Sequence, residues 1–469
     1  MDEKKEKRVY PYIPNSVPEV QEEMLRAIGV ESLEELYALI PKELMFQREL
    51  RLPDPLLDEC SLDRHMQGLL EKNKSTREFL SFLGGGCWPH YVPAICDAIS
   101  QRSEFLTAYA GEPYEDHGRF QALFEYASMI AELVEMDVVS VPTYDGSQAA
   151  ATALRMATRI TERDVVLVPK LLNPDRRSII ANYCDPEVEV LEVGFEPETG
   201  LLDLKDLSRK LSGRVAAIYF ENPGYLGTIE TRAREIANLA HRAGALCVVG
   251  VDPISLGVLA PPPRYGADIV CGELQPLGVH MHFGGGRGGF VATPDEERFV
   301  AEYPLRLFGI APTTDGAWGF GDVAWERTSF AQRENAKEFV GTMAALWGIT
   351  AGVYLALLGP RGIRELGELI MYRAAYAAKR LGELPGIRCP RFDAPHFKEF
   401  VVDLNATGRT TREVLAELKD RGILGGIDLS GSFPKLGQAL LVCVTEVHTK
   451  GDIDRLAAGL AEIVGGGGR

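Results

Sequence analysis

Residues 248–290 read VVGVDPISLGVLAPPPRYGADIVCGELQPLGVHMHFGGGRGGF, and the fold is decided by the order of elements in this stretch. An apolar run ends in an acid, Asp252. A loop follows, then Gly266-Ala267-Asp268 and a second short apolar run. Next come Glu273-Leu274-Gln275-Pro276 and a glycine run, 284–289, that contains Arg287. Short apolar runs bounded by glycine and proline predict buried strands. In an open α/β sheet, ligands bind beyond the C-terminal strand ends, where Asp252 falls.

The same texture extends upstream. From about residue 138, apolar runs of strand length (DVVLVPKLL, EVEVLEVGF, VAAIYFENP, ALCVVGVD) alternate with helices. One helix, ETRAREIANLAHRAG, keeps Ile236, Leu239 and Ala240 on one face and stops at Gly244. Strands alternating with helices predict a mostly parallel sheet covered on both faces. Asn222 and the turn Tyr144-Asp145-Gly146 also fall at strand ends. Downstream, 326–360 reads as helical, and so does RGIRELGELIMYRAAYAAKRL. Then HFKEFVVDL, TTREVLAELKDRG, ALLVCVTE and DIDRLAAGLAEIV predict a small α+β domain. Residues 1–75 read as an arm with helices, among them SLEELYALIP with Ser32 as N-cap ahead of Glu35. The expected division is 1–75, 76–325 and 326–469.

Composition narrows the function classes. A charged fraction of 25% with 46% hydrophobic residues is that of a globular chain. A net charge of −17 argues against nucleic acid or an anionic membrane as partner. No apolar run is long enough to span a bilayer, and the N-terminal MDEKKEKRVYPYIP lacks the apolar core of a secretory signal. A cytoplasmic protein is expected. The eight cysteines are scattered without a CxxC pair and read as buried reduced thiols. No HExxH or GxSxG pattern occurs.

Asp145-Gly146-Ser147 opens a helix, so its amides offer a phosphate site, although such a turn is equally ordinary capping chemistry. The glycine run around Arg287 has phosphate-loop spacing but lacks a Walker lysine. Two polar, aromatic loops concentrate candidate reactive groups. The first carries His90 and Tyr91. The second, 107–119 (TAYAGEPYEDHGR), carries Tyr109, Tyr114, Asp116 and His117. Loops of this composition are more often functional or interfacial than connecting. The two histidines are the groups there suited to proton transfer near neutral pH.

Set out in this way, the chain resembles pyridoxal-phosphate (PLP) enzymes of the aspartate-aminotransferase type. The resemblance implies a type I PLP-dependent transferase fold. In those enzymes an acid placed as Asp252 is placed here pairs with the cofactor's pyridine nitrogen, and a Schiff-base lysine follows the Gly-Ala-Asp strand. Here no lysine lies between Arg264 and Arg287.

A narrower resemblance covers nearly the whole chain. Its carriers are YPYIPN at 10–15, FLGGG at 82–86, HYVP at 90–93, EFLTAY at 104–109, ALFEY at 122–126 and MIAEL at 129–133. They continue with YDG at 144–146, DPISLG at 252–257, YGAD at 265–268, FGG at 283–285, VYLALLG at 353–359 and VTEVHTKGDIDRL at 444–456. In these the chain resembles the subunit 1 type of the glycine cleavage system P-protein, glycine dehydrogenase (decarboxylating). The resemblance implies a subunit that has the PLP-enzyme fold and carries no PLP. It also implies that the cofactor is held on the lysine of a subunit 2 partner in an α2β2 assembly, that glycine is decarboxylated, and that its aminomethyl group passes to the lipoyl arm of the H-protein. Gln275-Pro276 falls where the partner type has His-Lys, and the pocket with Asp252, Gln275, Pro276, Tyr144, Asp145 and Gly146 is degenerate. The residues expected to contribute to the shared site are His90, Tyr91, Tyr109, Tyr114, Asp116 and His117.

The chain departs from the family pattern in its polar loops. Residues 110–118 read AGEPYEDHG where the family has TPYQPEVSQG, and 337–344 read KEFVGTMA where it has TSNICTNQ. Three alternatives follow: the same type of complex acting on another small amino acid or amine, a non-catalytic structural or regulatory subunit, or an independent PLP enzyme using Lys170 or Lys337.

Overall fold

The computed structural model describes residues 9–465 apart from 11, 14–15, 47, 49, 106–116, 305, 336 and 338–343. It divides into two units, Met1–Asn73 and Lys74–Arg469. In the first, helix α1 (Pro18–Ile28) opens on proline and closes on Gly29, whose left-handed φ of 84° lets its N–H return to the Leu25 and Arg26 carbonyls. Ser32 and Glu35 form the expected capping box, but on a single 3₁₀ turn, Leu33–Tyr37, ahead of Pro41. Helix α2 (Glu59–Leu70) is capped by Asp58, which accepts from the Ser61 N–H at 2.7 Å. Neither helix buries a residue.

The second unit begins with β1 (Leu80–Ser81), α3 (Ala94–Ser100), α4 (His117–Val134), β2 (Val138–Val139) and α5 (Gly146–Thr161). Then β3 (Val165–Pro169), α6 (Pro174–Cys184), β4 (Glu189–Val193), α7 (Leu204–Lys210), β5 (Val215–Glu221), α8 (Ala233–Arg242), β6 (Leu246–Val251) and β7 (Ile269–Glu273) alternate as the sequence predicts. With β8 (Gly289–Thr293) they form a seven-stranded sheet ordered β2-β8-β7-β6-β5-β3-β4, in which β8 alone is reversed. Val248 sits between Tyr219 and Ile269 in register. Strands β6 and β7 are buried at every position, as a sheet covered on both faces requires. Ala149, Ala150, Ala151 and Ala153 are fully buried, so α5 presents small side chains where it packs between the sheet and α6.

After α9 (Glu297–Val300) the chain forms a hairpin that the sequence reading misses, β9 (Phe308–Pro312) against β10 (Trp318–Asp322). The helix expected from residue 326 is also corrected. The described part of 326–344 holds the 3₁₀ turns Trp325–Arg327 and Ser329–Asn335, the latter broken at Arg333 with φ 50°. SFAQREN has few apolar residues at helical spacing, so nothing holds a longer helix against the core. Helix α10 (Ala345–Gly382) then runs as two segments that meet at Gly359, where φ is 60°, and Pro360, which has no N–H to continue the ladder. The C-terminal part comprises β11 (Glu399–Asp403), α11 (Thr411–Asp420), β12 (Ile423–Leu424), β13 (Ile427–Asp428), β14 (Ala439–Cys443) and α12 (Lys450–Gly465). Its sheet is ordered β11-β14-β13, and β12 pairs in parallel with β1. All eight cysteines are free: Cys96, Cys184, Cys247, Cys271 and Cys443 are buried as expected, but Cys87 and Cys389 are half-buried and Cys60, on α2, is exposed.

This topology sets Asn222, Asp252 and Glu273 at the C-terminal ends of three adjacent strands, β5, β6 and β7.

Candidate functional site

A cleft opens over those strand ends, between Asp252 and Glu273 on the large sheet and Lys398 and Glu399 at the start of β11, with Trp88 as a wall. Both oxygens of Asp252 are engaged. Oδ1 accepts from the Ile254 N–H at 3.0 Å, and Oδ2 pairs with the ammonium of Lys398. The two side chains are only 9% and 3% exposed, so the pair is shielded from water. Lys398 Nζ also lies 3.6 Å from the centroid of the Trp88 ring and 3.1 Å from His90 Nε2.

His90 continues this line of contacts. Its Nδ1 is 2.9 Å from Glu446 Oε2, and the second Glu446 oxygen accepts from the Tyr91 N–H at 2.7 Å. An ammonium only donates and a carboxylate only accepts. His90 therefore carries its proton on Nδ1 and offers the Nε2 lone pair to Lys398. Burial favours the neutral Glu446 carboxyl, but the His90 contact and the Tyr91 N–H more than offset this and hold it down to about 2. Glu399 is opposite in character. Burial pushes it up to about 7, against the pull of Lys398 and of the Gly85 N–H that it accepts at 2.6 Å.

The start of α5 is likewise occupied. Asp145 caps the helix by accepting from the Gln148 N–H at 2.7 Å. Glu273 Oε2 accepts from the Gly146 N–H at 3.0 Å and Oε1 from the Gly288 N–H at 2.9 Å. Arg287 donates from Nη2 and Nε to the same carboxylate at 3.0 and 3.1 Å. Burial raises the Glu273 carboxyl, while Arg287 and the two amides pull it back. A carboxylate from this chain thus sits where a helix N-terminus would receive a phosphate.

The Gln275 amide is used in full. It accepts from the Trp88 N–H at 2.9 Å and donates to the Trp88 and Val279 carbonyls at 3.0 and 3.1 Å. Pro276 has no amine. A PLP molecule needs an acid for its ring nitrogen, a helix start for its phosphate and a lysine for its aldehyde. The first two are taken by Lys398 and Glu273, and the third is replaced by Gln275-Pro276. The residues present do not fit the cofactor.

The sequence-derived candidates separate in the structure. His90 is buried in the line just described. Tyr91 is 65% exposed, and its part in the network is through the backbone N–H. Tyr144 is half-exposed and binds Gln148 Oε1 through its N–H at 2.7 Å. His117 opens α4, but its side chain lies outside the described residues, as do Tyr109, Tyr114 and Asp116. Sequence reasoning missed Lys398, Glu399 and Glu446, and it did not assign Glu273 to the helix start. The only local signal was Lys398-Glu399, two charges leading directly into a buried strand.

Fold and cleft together define a chain built as a type I PLP-dependent transferase whose cofactor handles are filled by its own side chains. A sequence profile for the glycine cleavage system P-protein matches residues 11–460, and the chain belongs to this family. It is 39% identical over 464 residues to the probable glycine dehydrogenase (decarboxylating) subunit 1 of Staphylothermus marinus, covering 97% of this chain and 98% of that protein. It is also 39% identical to the protein of the same name from Desulfitobacterium hafniense, over 96% of this chain and 99% of that one. A crystal structure of inhibitor-bound glycine decarboxylase (P-protein) superposes with a TM-score of 0.82 at 34% identity, over 97% of this chain and all of the other. A sphingosine-1-phosphate lyase from Burkholderia pseudomallei, at 14% identity, TM-score 0.63 and coverage of 91% and 95%, shares the fold alone.

Proposed function

We propose that this chain is the cofactor-free subunit of a two-subunit glycine dehydrogenase (decarboxylating), and that it completes the active site of a PLP-bearing second subunit. The reaction is decarboxylation of glycine with transfer of the aminomethyl group to the lipoyl arm of an H-protein. The observation that carries this reading is the conjunction of two features. The chain is alike from end to end to proteins named subunit 1, and its own cleft has two cofactor handles filled and Gln275-Pro276 in place of the third. A chain of this fold without a usable pocket has its value in what it presents to a neighbour. The loops at 86–91 and 107–119 are proposed to line the shared cavity, with Tyr91, Tyr109, Tyr114, Asp116 and His117 toward the substrate. The assembly is proposed to be α2β2.

The test is reconstitution with a PLP-bearing subunit and lipoylated H-protein, followed by exchange of the glycine carboxylate with labelled bicarbonate. Exchange is expected only when both subunits are present. Equal exchange by the second subunit alone would make this chain dispensable to catalysis. Because residues 110–118 differ from the family run, sarcosine and small primary amines belong in the same assay, and faster turnover of one of them would reassign the substrate.

A further inference from the structure

We propose that Lys398 and Glu273 are built-in occupants of the cleft: Lys398 stands on Asp252 in place of a cofactor's ring cation, and Glu273 stands at the start of α5 in place of its phosphate. Three observations carry this. First, one side chain brings a positive group to the acid at the end of β6, and the other brings a negative group to the N–H groups at the start of α5. Second, both are buried, Lys398 at 3% and Glu273 at 2% exposure. Third, each makes the contacts of a bound ligand. Lys398 meets a carboxylate, an imidazole lone pair and an indole face. Glu273 meets the backbone N–H groups of Gly146 and Gly288 and the guanidinium of Arg287. Both subsites are therefore paired with no ligand, and the cleft shuts out the cofactor by occupation as well as by having no lysine at 275–276.

Removing either occupant should leave a subsite with the opposite preference. Lys398→Ala leaves a hole walled by Asp252, His90 and the Trp88 ring, which suits a flat organic cation. Glu273→Ala leaves the Gly146 and Gly288 N–H groups and Arg287 facing the vacated space, beside the Asp145 carboxylate that caps the helix; the two amides and the guanidinium suit an oxyanion. The probes are N-methylpyridinium chloride and sodium phosphate at millimolar concentration, with ionic strength matched by sodium chloride. The readout is thermal unfolding of the full chain. It involves neither glycine nor a second subunit, so its outcome is independent of the proposed activity.

Both variants should melt lower than the parent. N-methylpyridinium should raise the Tm of Lys398→Ala by several degrees, saturably, and leave Glu273→Ala unmoved. Phosphate should do the reverse, and the parent should respond to neither. A parent that responds as the variants do, variants that respond to neither probe, or both probes acting alike on both variants would overturn the proposal. If a variant is recovered only as aggregate, refolding yield with and without its own probe becomes the measurement. A higher yield upholds the proposal and an unchanged yield overturns it.

Discussion

Lys398 and Asp252 form a buried ion pair that ties the end of β6 in the large sheet to the start of β11 in the C-terminal part. Leaving one member of such a pair alone strands a charge away from water, at a cost of about 3–5 kcal/mol, whereas replacing both can be nearly neutral. Lys398→Met should therefore destabilise the chain by an amount in that range in urea unfolding. Asp252→Asn combined with Lys398→Met should recover most of the loss. Additive losses would mean that the two side chains act independently.

Glu446 sets the acid limb of stability. Its folded-state value, about 2, lies below the ordinary 4.5. Its contribution is therefore complete above pH 4.5 and is lost as the pH falls toward 2. A shift of that size is worth about 3 kcal/mol. Glu446→Gln should be less stable than the parent at pH 7 by up to that amount, with a flatter profile between pH 4.5 and 2. Unfolding free energies across that range measure it.

Glu399 acts with the opposite sign. Its folded value, about 7, is raised from 4.5, so the folded chain binds the extra proton. The stability this confers is complete below pH 4.5 and declines as the pH rises to 7. Glu399→Gln keeps an acceptor for the Gly85 N–H without the charge. It should abolish that decline and match or exceed the parent's stability at pH 8, by about 1–3 kcal/mol. A variant less stable than the parent at pH 8 would show that the Glu399 charge is needed.

Gly227 holds a left-handed φ of 87°, and a Cβ there would run into the carbonyl of Glu399. Gly227→Ala combines a backbone penalty with a clash that only movement of β11 can relieve. The expected loss is about 3 kcal/mol or more. A Tm within a degree of the parent's would contradict the close approach.

What could be read from the sequence followed from periodicity. The run of β3, β5, β6 and β7 was legible because strands covered on both faces are continuously apolar, and Gly244 and Ser32 marked ends by their own backbone chemistry. The hairpin β9–β10 was missed because FGIAP and WGFGD are glycine-rich and half-exposed, without the alternation of a one-sided strand. The lost Schiff-base lysine was visible as an absence within one segment. The occupied cleft was not. Lys398, His90 and Glu446 converge from three distant parts of the chain, and no local pattern relates a lysine before one strand to an acid after another. Glu273 was in plain view, but its role depends on how β7 ends beside the start of α5.

The proposed function puts the cofactor of the complex on the second subunit and not on this chain. Borohydride reduction of the reconstituted, active complex, followed by peptide mass spectrometry, tests it directly. The phosphopyridoxyl group is expected on a lysine of the second subunit, with none on this chain. A phosphopyridoxyl-lysine found on this chain, whether at Lys398, Lys170 or Lys337, would contradict it.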